Sequence, residues 1–178
     1  MAFHSRLLFV PVAAIHAAAL APAAVAVELQ TLQQAQQKLV QGATLTPADF
    51  SLTPEQRAVL RESYKVPVMR LAVKAWRVST GGWLFLDQVY GRDDIVTYLV
   101  LVGDDNKVRG LEVLVCADGY CDLFTREWRA RLVGQEHGRW MPDEVVPILS
   151  GATLSCVHVA EGVKKLLAIH ARFLPQPG

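Results

Sequence analysis

The 178-residue sequence has no surplus of charge of either sign: 18 basic residues face 17 acidic ones, for a formal net charge of +1. Electrostatic capture of a nucleic acid needs a clustered basic surplus, so nucleic acid is not an expected partner. Cysteine is scarce, at three residues, and no Cys-x-x-Cys-His run occurs, which excludes covalent haem of the usual kind. Also missing are a nucleophile elbow, a phosphate-binding glycine-rich loop and a zinc-binding helix motif, and no pair of carboxylates stands out as an acid and base. There are no internal repeats and no low-complexity linker. What is abundant is apolar residues, 52% of the chain, enough for one compact domain with a sizeable core.

Much of that apolar content lies at the start. Arg6 is followed by an apolar run from Leu7 to Leu20 and a small-residue stretch ending Ala24-Val25-Ala26, the pattern of a secretory signal cleaved after Ala26. An uncleaved membrane anchor is the competing reading, but Pro11 and His16 interrupt the run, which falls short of the roughly 20 residues needed to span a bilayer. A periplasmic or otherwise extracytoplasmic location is the consequence. In such a compartment Cys116 and Cys121 are near enough to form a disulfide, leaving Cys156 as a buried thiol, or both remain thiols.

After the signal, residues 27–67 read as an N-terminal helical segment. Leu29 to Val40 is Gln-rich with a partial apolar stripe, as in a surface helix. Thr53-Pro54-Glu55-Gln56 is a helix start, with Thr53 as cap, Pro54 at the first helical position and Gln56 completing a capping box; this helix should run to about Tyr64. From Val68 the pattern changes. Leu71–Val78, Trp83–Val89, Ile95–Val102 and Lys107–Cys116 read as strands separated by glycine-containing turns short enough for successive antiparallel hairpins. The Gly103-Asp104-Asp105-Asn106 turn resembles a calcium loop, but Arg109 stands where such a loop needs glycine and no carboxylate closes it. Phe124 to Val133 should form a short helix with Trp128 and Leu132 facing the core and Arg126, Arg129 and Arg131 in solvent. The last helix is the most regular: Cys156, Val159, Ala160, Val163 and Leu167 form an apolar stripe, with Glu161 four residues before Lys165. The expected fold is α+β, an antiparallel sheet of about four strands with flanking helices and a C-terminal helix.

Just before that stripe stands Ser150-Gly151-Ala152-Thr153-Leu154-Ser155. A capping hydroxyl, a glycine that permits close approach and a threonine hydroxyl meet at a helix N-terminus, where unpaired amides and the macrodipole favour an anionic phosphate. Ser and Thr at helix starts are usually only caps. Here the wider sequence matters: Gly82-Trp83-Leu84-Phe85-Leu86-Asp87, Gly91, Thr97-Tyr98, Val108-Arg109-Gly110, Glu127-Trp128-Arg129 and Ser150 to Cys156 followed by His158-Val159. Over roughly Leu71 to Leu167, the chain resembles the FMN-binding domain of the G subunit of Rnf complexes, of the C subunit of sodium-pumping NADH:quinone oxidoreductase, and of small stand-alone exported relatives.

The resemblance implies an FMN-binding domain over residues 68–174 that carries electrons, with FMN joined by a phosphoester to Thr153 by a flavin transferase, and a membrane redox partner. It also implies that Ser150, Gly151, Ala152 and Ser155 surround the attachment point, and that Gly119, Tyr120 and Trp128 are flavin neighbours. The chain departs from the family pattern at Pro147, where an acidic residue usually stands six before the threonine; Asp143 and Glu144 lie slightly earlier. Flat surface for an isoalloxazine ring is available from Trp83, Tyr98, Tyr120, Trp128 and Trp140, each of which ordinary core packing also explains. His158 and His170 lie about a third of a turn out of phase on one helix and cannot share a metal; with His137 they read as surface histidines. Two other readings stay open: a ligand- or protein-binding module of the same fold without flavin, and a flavin-dependent reductase with a small substrate.

Overall fold

A computed structural model describes residues 27–116, 124–139 and 153–175. In chain order its elements are β1 (Val27–Glu28), α1 (Leu32–Val40), β2 (Leu45–Pro47), β3 (Phe50–Ser51), α2 (Pro54–Ser63), β4 (Ala72–Val78), β5 (Trp83–Tyr90), β6 (Ile95–Val102), β7 (Val108–Cys116), α3 (Arg126–Leu132) and α4 (Thr153–Phe173). Local chemistry sets the helix starts. Thr31 and Thr53 each accept a hydrogen bond from the backbone N–H three residues on, and Gln34 and Gln56 each accept one from the cap's own N–H, so both helices open with a complete capping box. Thr125 caps α3 by accepting from the Trp128 N–H.

The fold is α+β, as expected, but the sheet is larger than four strands. All seven strands are antiparallel, in the order β1-β7-β6-β5-β4-β2, with β3 also paired to β4. The extra strands are β1, β2 and β3. They are two or three residues long, too short for alternation to show, and their pairing is decided by the strands they meet. Residues 27–67 therefore supply three sheet strands as well as two helices. The β4–β5 hairpin turns on Gly81 and Gly82, with φ of 102° and 90°. At Gly82 a Cβ would run into the Val102 carbonyl oxygen, so glycine is needed there.

Both faces of the sheet are covered, which is why its strands read as nearly continuous apolar runs. On one face α1 packs Ala35, Leu32 and Leu39 against Trp76, Leu84, Leu99 and Leu114. On the other, α2, α3 and α4 close a larger core around Phe85, Val96, Val100, Leu111 and Val113. Period two assigns alternate residues of β5 to the two sides. Cys116, at the end of β7, is disulfide-bonded, and Cys156 is a buried thiol. The expected partner, Cys121, lies outside the described residues.

The sheet is irregular at one place, between β4 and β5. Their ladder runs from Arg77↔Trp83 to Lys74↔Leu86 and stops. Upstream, Val73 and Ala72 of β4 pair with β3, while β5 continues to Tyr90 against β6. Asp87 to Tyr90 consequently have a strand neighbour on one side only.

Candidate functional site

Thr153 is the first residue of α4, a helix of 21 residues. Helix starts leave backbone N–H groups without intrahelical partners, and the macrodipole adds positive potential there. Two contacts hold this end against the β5–β6 turn. The Ser155 hydroxyl accepts from the Arg92 backbone N–H at 2.8 Å, and His158 donates from Nδ1 to the Tyr90 carbonyl at 2.6 Å. Ser155 is thus turned inward and buried, where it anchors the first turn, while Leu154 beside it is exposed.

The other residues named from sequence divide into two sets. Ser150, Gly151, Ala152, Gly119, Tyr120 and Trp140 lie outside the described residues. Trp128 is buried on α3 with its ring edge-on to Phe124, 5.2 Å between centroids, and its indole N–H has no hydrogen-bond partner among the described residues. Trp83 stacks on Phe85 and carries Arg77 over its ring at 5.5 Å. Tyr98 is buried beneath α4. Core packing accounts for Trp83 and Tyr98. Trp128 shares the larger core with Cys156 and Val159 of α4.

A polar cluster at mid-helix was not visible in the sequence patterns. Asp87 accepts from Lys165 at 2.9 Å on Oδ1, with Oδ2 in ion-pair contact at 2.7 Å, and from the Tyr98 hydroxyl at 2.6 Å on Oδ2. The Lys165 and Asp87 side chains are only 11% and 17% exposed. Burial, together with the Asp87 charge, pushes the Tyr98 phenol well above its usual range, so the hydroxyl stays a neutral donor. Room for it comes from Gly162, where a Cβ would overlap the Tyr98 hydroxyl. The sequence spaces Glu161 four residues before Lys165, yet Lys165 turns inward, where the mid-strand carboxylate of Asp87 is its partner. Asp87 itself was the missed signal: period two on β5 puts it on the same side as the buried Trp83 and Phe85.

Beside this cluster, where the β4–β5 ladder stops, a cleft of about 720 Å³ opens between β3, the Val68–Lys74 stretch, the end of β5 and the C-terminal half of α4. Its lining is mostly apolar, with Phe50, Leu52, Val89, Leu166 and Ile169 among the walls and Lys165 and Asp87 also in it. Arg70 donates to Gln88 across the gap at 2.7 Å.

Two further expectations are corrected. His170 is not a surface residue: it is fully buried, with Nδ1 2.8 Å from Asn106 Oδ1, because it continues the apolar stripe one heptad beyond Val163. Burial holds its imidazole below the ordinary pKa. Arg129 is half-buried rather than solvated, donating to the Phe124 carbonyl at 3.0 Å and lying 3.8 Å from Glu112. Among the described residues no helix is long and apolar enough to cross a membrane. No protein-family model and no curated protein matches the chain, so the family likeness rests on the motifs in its own sequence.

Proposed function

We propose that the chain is an exported flavoprotein of the FMN-binding domain family that carries electrons through FMN joined to Thr153 by a phosphoester. The observation that carries this reading is the coincidence of Thr153 with the start of α4, in the segment whose sequence resembles the family's attachment motif. First-turn amides and the helix dipole favour an anion there by roughly 0.3–1 kcal/mol when exposed. That is too little for full affinity, which gives a covalent tether a physical purpose.

Ser150, Gly151 and Ala152 would hold the phosphate, Ser155 steadies the first turn through Arg92, and Gly119, Tyr120 and Trp128 are the proposed ring neighbours. Bound FMN supplies one- and two-electron redox chemistry. A flavin transferase installs it, and a membrane redox partner exchanges electrons with it. Cleavage of the signal after Ala26 leaves Val27, the first residue of β1, so the mature chain keeps the whole sheet.

The test is expression with an active flavin transferase, followed by intact-mass analysis and flavin fluorescence on a denaturing gel. Wild type should carry one covalent FMN, and Thr153→Val, which keeps the branched shape without the hydroxyl, should carry none while staying folded. Fluorescence persisting in Thr153→Val would move the attachment elsewhere. If wild type is unlabelled, Pro147→Asp should restore labelling; failure of both favours the alternative, a binding module of the same fold without flavin. The cleft beside Lys165 is the observation on which that alternative stands.

A further inference from the structure

We propose that the cleft between β3, β5 and α4 binds a small organic acid with an apolar, preferably aromatic, body, a hydrogen-bond-accepting oxygen at its inner end and a carboxylate at its outer end. Pockets of a few hundred to about 1,000 Å³ with apolar walls and a few placed polar groups are the usual form of small-molecule sites, and this one, at about 720 Å³, has that form. A desolvated ion pair is a poor way to stabilise a fold, because taking both charges out of water offsets their attraction. Finding Lys165 and Asp87, both largely buried, in the lining of a mostly apolar cleft calls for a use.

The donor count gives the ligand's inner end. Asp87 is already engaged, accepting from Lys165 and from Tyr98 and holding Lys165 as an ion pair. The Lys165 ammonium has three hydrogens; one is donated to Asp87 Oδ1, with Oδ2 in ion-pair contact, and no acceptor outside Asp87 occurs for the others among the described residues. Because Asp87 already neutralises the ammonium, the complementary group there is an uncharged acceptor such as a ketone, not a second anion.

Charge gives the outer end. Lys74 is paired with Asp49 at 2.6 Å and Lys165 with Asp87. Arg70, exposed at the cleft, gives one N–H to Gln88 and has no carboxylate partner among the described residues. The cleft therefore has one cation in excess, carrying a planar fork of donors suited to a carboxylate. The lining also includes Val73, Val89, Leu166 and Ile169, which match an apolar body. The α4 residues in the lining begin at Lys165, twelve positions beyond Thr153, about 18 Å along the helix axis at 1.5 Å per residue. The rim of the cleft at Tyr90 reaches the turn that His158 holds, but Lys165 and Arg70, the two groups assigned to the ligand, lie away from the attachment point, and the proposal does not depend on it.

The probe is 6-acetyl-2-naphthoate, compared with 2-acetylnaphthalene, which lacks the carboxylate, and 2-naphthoate, which lacks the ketone. Calorimetric titration is run on the mature chain, both as flavin-free Thr153→Val and as flavin-loaded wild type. The keto acid should bind both forms equally, about tenfold more tightly than either comparator, as expected for one charge-assisted or buried hydrogen bond at each end. Arg70→Gln should remove the advantage over 2-acetylnaphthalene and leave that neutral compound's binding unchanged. In methyl NMR spectra the perturbed signals should be those of Val89, Leu166 and Ile169. Equal binding of the three probes, an inert Arg70→Gln, or perturbations elsewhere would overturn the proposal. So would loss of binding on flavin loading, which would assign the cleft to the cofactor while leaving the flavin reading intact.

Discussion

The two faces of the sheet are built from the same four long strands but to different specifications. Under α1 the buried residues are Ala35, Trp76, Val78, Leu84, Leu99 and Leu114, with no charged group among them. Under α4 the core also holds Ser155, Lys165 and His170, the buried polar or charged residues among those described, and all three belong to that one helix. The first face is a plain apolar seal. The second trades part of that simplicity for placed donors and acceptors, each of which needs a partner or it destabilises the fold. Where the partners line an open cleft, the arrangement is better explained by binding than by stability.

The sharpest way to break this contrast is Lys165→Met. Leaving Asp87 buried without its cation should cost about 3–5 kcal/mol in chemical denaturation, and Lys165→Met with Asp87→Leu should recover most of it. A loss below about 1 kcal/mol, the range of an exposed pair, would mean the two faces do not differ in this way. Leu84→Ala, on the apolar face, is the control: a cavity at this fully buried site should cost about 2–4 kcal/mol, with no partner substitution able to rescue it. Intermediate in size is Gly162→Ala. In an ordinary helix that change stabilises by up to about 1 kcal/mol, yet here the added methyl meets the Tyr98 hydroxyl and should destabilise by about 1–3 kcal/mol. Adding Tyr98→Phe should restore most of the loss; if Gly162→Ala is stabilising by itself, Tyr98 is not confined by the helix.

The smallest expected effect is on pH dependence. The His170 pKa is lowered in the folded state, burial being the largest cause, so the unfolded chain takes up the proton more readily. Its contribution is complete above the unfolded pKa of about 6.5 and declines as pH falls through that value toward the folded one. Thermal melts between pH 7.5 and 5 should show the decline, and His170→Asn should reduce it, leaving the part due to His137, whose imidazole pKa burial also lowers. A wild-type curve with no slope in that window would remove His170 from the contrast.

How much of the molecule was readable in advance differs along the chain. The four long strands and α4 were legible because each is long enough for its period to show; β6 was expected over Ile95–Val102 and is found there. Thr31 and Gln34 spell a capping box, yet the Gln-rich stretch around them hid the boundary because its apolar stripe is partial. β1 to β3 were invisible for a different reason: two or three residues acquire strand geometry only from partners as distant as Val27 is from Cys116. At the candidate site a helix with Thr153 in its first turn was anticipated from the hydroxyls and the apolar stripe after them, and the described helix begins at Thr153, with Ser150 to Ala152 outside the described residues. The Lys165–Asp87–Tyr98 cluster was not, since its members come from three elements and Lys165 has a plausible surface partner in Glu161. His170 was misjudged although the stripe, continued by seven from Val163, points to it.

α4 is the last of the described elements and the cover of the larger core, which gives the fold a schedule. The β4 to β7 hairpins join near neighbours and can form early, because closing short loops is entropically cheap and fast. The side of β5 and β6 bearing Phe85, Val96 and Val100 must wait for residues 153–173 before it is shielded. Until then the nascent sheet presents one sealed side and one adhesive side, the condition under which chains aggregate or are held by chaperones. A chain interrupted anywhere before Thr153 would therefore be marked as unfinished by that uncovered surface.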